Sequence, residues 1–131
     1  MNEYGFKVCR EIDGKYFSGT VCGRVIEYRV GFETIPHSGC GPLAVFDTYK
    51  QAMEFAEREL PIGRRCLGYS MALFLCVFQP SKYDCMWPWS RGSAGCITIT
   101  EQYKLPVGTV LADKVMLLHQ PLYRITLENL I

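Results

Sequence analysis

The run Met71-Ala72-Leu73-Phe74-Leu75-Cys76-Val77-Phe78 constrains this chain more than any other feature. Consecutive apolar residues cannot alternate between core and water, so a strand built from them needs cover on both faces. A bilayer span needs roughly 20 such residues, and this run is far shorter. It is therefore expected as a central, doubly covered strand, with Leu73 to Phe78 at its heart. The chain has material for that cover. It has 131 residues, 49 % of them hydrophobic and 21 % charged, which are the values of one globular domain, expected as 1–131. The formal charge of +1 predicts no attraction to nucleic acid or to an acidic membrane surface. The polar start, Met1-Asn2-Glu3-Tyr4, carries no apolar segment of a targeting signal.

Most of the remaining pattern reads as strand. Gly5 to Arg10 places Phe6 and Val8 on one face, and Ile12-Asp13-Gly14-Lys15-Tyr16 reads as a hairpin, because Asp-Gly favours a type I′ turn. Tyr16 to Val21 would return, and Arg24 to Phe32 is rich in β-branched and aromatic residues. Two prolines and two glycines between Pro36 and Pro42 predict a constrained loop, followed by a short buried strand at Leu43 to Phe46. One helix is expected, at about Tyr49 to Leu60. Thr48 and Gln51 have capping-box spacing, Ala52, Phe55, Ala56 and Leu60 share a stripe, and Pro61 is the stop. Cys96 to Lys104 alternates, Leu105 to Thr109 is a turn, and Val110 to Leu118 is a last strong strand, with the tail as an added edge. The class is α+β: a strongly bent, mostly antiparallel sheet with one principal helix.

Seven cysteines are an odd number, and none has C-x-x-C spacing. Mostly reduced thiols and a cytoplasmic setting fit best, and no metal site is expected, although His37 and Cys40 are close enough to enter one. No phosphate-binding loop, dinucleotide fingerprint, zinc-protease helix or serine-nucleophile elbow occurs. What remains are loop residues. Trp87-Pro88-Trp89-Ser90-Arg91 is the most unusual local segment, an aromatic platform for a base, a ring or a partner protein, or else an apolar anchor for its own loop. His37 lies in the Gly/Pro loop, where a functional group competes with a merely bracing one. Arg64 and Arg65 read as solvated surface before they read as a phosphate clamp, and His119 as a strand-end residue.

Three segments resemble small ADP-ribosyltransferase-like domains. Lys7-Val8-Cys9-Arg10 is a strand ending in arginine. Gly41-Pro42-Leu43-Ala44-Val45-Phe46-Asp47-Thr48 with Ala52 and Phe55-Ala56 is similar to that group's strand-to-helix segment. Ile99-Thr100-Glu101-Gln102-Tyr103-Lys104-Leu105-Pro106-Val107-Gly108-Thr109 resembles the segment where a catalytic glutamate precedes a Pro-x-Gly-Thr turn. The resemblance implies that Arg10 holds the nicotinamide-ribose or phosphate side of NAD as substrate, and that Glu101 stabilises an oxocarbenium-like transition state. Tyr103 stands where the group has a second acidic residue, so a binding-only relative is also implied.

Two readings follow. The first is a small intracellular binding module without a cofactor, such as a viral or mobile-element protein that occupies a host protein or a nucleotide-type ligand. Trp87, Trp89, Arg91 and His37 would form its contact surface. The alternative is the ADP-ribosyltransferase-like enzyme or its degenerate relative, with Arg10 and Glu101 in one cleft. Neither involves a membrane, and nucleic acid is not the expected partner.

Overall fold

The computed structural model describes residues 2–18, 26–37, 41–63, 70–86, 97–98 and 105–126. Its elements are β1 (Glu3–Ile12), β2 (Lys15–Ser18), β3 (Glu27–Tyr28), β4 (Glu33–Thr34), β5 (Leu43–Phe46), α1 (Tyr49–Gly63), β6 (Ser70–Pro80), β7 (Cys85–Met86), β8 (Ile97–Thr98) and β9 (Thr109–Ile125). Every pairing is antiparallel. The described residues thus form an antiparallel, sheet-rich α+β structure with one helix, and no described helix is long and apolar enough to cross a membrane.

The long strands β1, β6 and β9 carry the architecture. β1 pairs with β6 from Glu3↔Phe78 to Glu11↔Ser70, and β6 pairs with β9 on its other edge. β5 pairs with β9 over Leu43↔Ala112 to Phe46↔Thr109 and touches β1 at Phe6↔Phe46. The pairings therefore close a circuit, β1–β6–β9–β5–β1. One face of the sheet is enclosed by it and the other faces α1. Strand alternation divides the residues accordingly. Val8, Phe46, Met71, Leu73 and Ile125 pack outward against Ala52, Phe55 and Ala56 of the helix. Cys9, Leu43, Val45, Phe74, Cys76, Phe78 and Leu117 fill the enclosed face, joined by Tyr28 of β3.

The apolar run forms most of β6. Residues 71–74 are buried on both faces. Further along, Cys76 and Phe78 stay buried inward while Leu75 and Val77 are half-buried outward. Double cover thus extends only as far as α1 does.

Local signals explain the ends of the elements. Asp13 and Gly14 both have positive φ, 52° and 77°, the type I′ geometry, and Ile12 pairs with Lys15 across them. Arg24 to Phe32 does not form one strand: within its described part, Glu27 and Tyr28 pair with β2 and the chain then turns, with Phe32 N–H donating to Arg29 C=O at 3.1 Å. Gly31, at φ 85°, permits that turn. The helix runs through Pro61 to Gly63 instead of stopping before it. So near a C-terminus a proline forfeits its own amide hydrogen bond without ending the helix. The final strand is longer than its pattern suggests. β9 continues to Ile125 through an irregularity in which residues 119–122 stand opposite Phe74 alone, with His119 at φ 57°.

At the other end of α1, the Gln51 N–H donates to Thr48 Oγ1 at 3.2 Å, the N-cap bond expected. Thr48→Ala should therefore lower stability by about 1 kcal/mol, read by chemical denaturation, whereas Thr48→Asp should keep it.

Candidate functional site

The least expected residue of the structure lies at the centre of the enclosed face. Lys7 follows Phe6 and precedes Val8, which both serve the helix side, so alternation turns its side chain inward. It is 1 % exposed. Its Nζ donates to the Ala44 carbonyl at 2.6 Å and lies 4.8 Å from the centre of the Tyr28 ring. Cys9 is two residues along the same strand, and Cys76 is two residues beyond Phe74, the partner of Lys7 on β6. Both cysteines are free and buried.

Burial governs the charge of all four groups. It pushes the Lys7 amine below its ordinary value, against the opposing influence of the two thiols. It pushes the Cys9 and Cys76 thiols up to about 12, with Lys7 pulling the other way. It also pushes the Tyr28 phenol well above its ordinary range, and the two cysteines add to that. A low-dielectric interior disfavours every charged form, and here the groups that would ionise negatively are weaker acids than the amine needs as partners. Thiols so held are poor nucleophiles.

One mouth of the enclosed space is polar. Arg124 Nε bonds Glu11 Oε1 at 2.7 Å and its other nitrogen donates to Tyr16 O–H at 3.3 Å, while the Tyr16 ring meets Phe74 edge-on at 4.7 Å.

The residues named from the sequence fall elsewhere. Arg10 is half-buried at the end of β1, on the strand face opposite to Lys7, and its Nε donates to the Ser18 carbonyl at 3.0 Å. His37 is exposed beyond β4. Trp87, Trp89, Arg91 and Glu101 lie outside the described residues, as do Cys40, Arg64 and Arg65. The structure thus places two of the six candidates and brings no pair of them together among the described residues.

Cys85 is disulfide-bonded. The expectation of mostly reduced thiols does not single this cysteine out, because spacing in sequence carries no information about which side chains a fold apposes. Among the described residues, no three His, Cys, Asp or Glu side chains gather as a metal site would require.

His37 does have notable neighbours. Phe32 is 64 % exposed and Ile35 is 61 % exposed, one on each side of β4. The Arg29 guanidinium lies 5.6 Å from the centre of the Phe32 ring. No family model matches the chain, and no curated protein or solved structure matches it.

Proposed function

We propose that this protein is a small cytoplasmic binding module that engages a protein partner through residues 29–37, with Trp87, Trp89 and Arg91 supplying further contacts. The exposure of Phe32 and Ile35 beside Arg29 and His37 carries this reading. Aromatic and arginine side chains most often dominate interface energy, since each desolvates a large rigid area and keeps a polar handle. The turn at Arg29 to Phe32 holds this aromatic outward, so little freedom is lost on binding. The enclosed face is filled by buried side chains, which leaves recognition to the outer surface. The closed circuit of pairings supports a strongly bent sheet as the scaffold. Two free thiols favour a reducing compartment, and the Cys85 disulfide argues the other way.

The test compares wild type with Phe32→Ala, Ile35→Ala, Trp87→Ala and Trp89→Ala. A partner recovered by crosslinking to wild type should bind the Phe32 and Ile35 variants at least about tenfold more weakly, with stability within about 0.5 kcal/mol. Unchanged affinity would remove residues 29–37 from the interface. A nicotinamide dinucleotide titration forms the second arm. Binding that disappears in Arg10→Ala and Glu101→Ala would support the ADP-ribosyltransferase-like reading in place of this one.

A further inference from the structure

Among the described residues, Lys7 is the one buried charged side chain, and neither reading uses it. An ammonium group has three donors and no acceptor. Among the described residues only the Ala44 carbonyl accepts from Lys7, and the Tyr28 ring is stacked over it. β1 contributes Cys9 and, further along the same face, Glu11, which is engaged by Arg124 of β9 at the mouth. β6 contributes Cys76, β3 contributes Tyr28, and β2 contributes Tyr16, held against Phe74. From β5 comes a backbone carbonyl alone. Among the described residues, no carboxylate is set to neutralise a charge at Nζ.

Among the described strands of this sheet that surround the amine, β3, its roof, is the most sparsely paired. β1 and β6 pair over nine residues each. β3 is paired with β2 at only Tyr16↔Tyr28 and Phe17↔Glu27, supplemented by bonds between Ser18 and Ile26. Local opening draws on the segments with fewest backbone bonds, so β3 separates before β6 does.

We propose that Lys7 is a proton-sensitive latch: the neutral amine lets β3 lie closed over the enclosed face, and proton uptake favours a locally open state in which the ammonium reaches water. The direction follows from linkage. The open state binds the proton at the ordinary lysine affinity and the closed state binds it more weakly, so lower pH favours opening. The opening equilibrium should rise about tenfold per pH unit as pH falls, until the closed-state amine itself takes up a proton.

Amide hydrogen exchange on the full chain tests this, expressed as protection relative to the intrinsic rate between pH 6 and 9. Protection at Tyr28 should fall about tenfold per unit of decreasing pH for as long as the closed-state amine stays neutral, and at every pH it should lie below that of residues 71–77, whose amides open only with the whole fold. In Lys7→Met the protection of β3 should no longer vary with pH. The second measurement needs no variant. In wild type with ¹³C-labelled lysine, one Cε resonance should titrate well below the other lysines. A full set of lysines titrating together near the ordinary value would overturn the proposal. So would pH-independent protection of β3 in wild type, or a pH dependence that persists in Lys7→Met.

Discussion

Replacing Phe74 with alanine should lower stability by about 3–5 kcal/mol, the largest effect expected of any single truncation here. The ring is 0 % exposed on the enclosed face, with Tyr16 edge-on against it and Cys9, Cys76 and Tyr28 in the same cluster. Cys9 and Cys76 sit on strands tied to one another in the circuit, so they cannot collapse into the space the ring leaves, and the cavity persists. Loss of the edge-on aromatic pair adds to the transfer cost. Urea denaturation of wild type and variant, compared at equal m, measures the difference. A loss below about 1 kcal/mol would place residues 71–78 at the surface and overturn the arrangement of β6.

The second large effect is in the pH profile of global stability, which should peak near pH 9. Three groups set it. Burial lowers the folded-state Lys7 amine below 10.5, its ordinary value once unfolded, so between those two values the unfolded chain holds the extra proton and stability rises with pH. One proton corresponds to about 1.4 kcal/mol per pH unit. Cys9 and Cys76 act in the opposite sense. They ionise near 9.0 when unfolded but near 12 when folded, so above pH 9 the unfolded chain releases two protons that the folded one keeps. Below pH 9 the amine raises stability by up to about 1.4 kcal/mol per pH unit, and by pH 9 the thiols have removed only about 0.4 kcal/mol each, so the net change is a rise. Beyond pH 9 the two thiols outweigh the single amine, and Tyr28 joins them at higher pH. Denaturation midpoints measured from pH 6 to 10.5 test the profile. In Lys7→Met the rise should vanish and only the alkaline fall remain. A wild-type maximum between pH 5 and 7 would show that Lys7 is charged in the folded state.

How far the chain announces these features differs from element to element. The type I′ hairpin at Asp13-Gly14, the capped start of α1, the turn before Thr109 and the burial of β5 are local matters. They depend on backbone preferences and hydrogen bonds within a few residues, and each is where its residues predict. The reach of β9 is not local. Residues 119–122 form a bulge that Phe74 of another strand accommodates, so strand pairing decides it. The six candidate residues come from loops and short motifs, whereas the exposed Phe32 ends a stretch, Arg24 to Phe32, whose β-rich composition reads as an ordinary strand.

Lys7 shows most clearly where the limit falls. Gly5, Lys7, Cys9 and Glu11 alternate with Phe6, Val8, Arg10 and Ile12, and by composition the first set reads as the solvent side of a half-buried strand. By itself the sequence determines the local matters: a paired β1, an inward β6, a capped helix and sharp turns, because each follows from side-chain volume, alternation or φ preference over short spans. The tertiary structure alone decides that both faces of β1 are covered, since the circuit through β6, β9 and β5 encloses the second face. That closure joins residues distant in the chain. It removes water from an amine whose own neighbours in sequence give no sign that it will be buried.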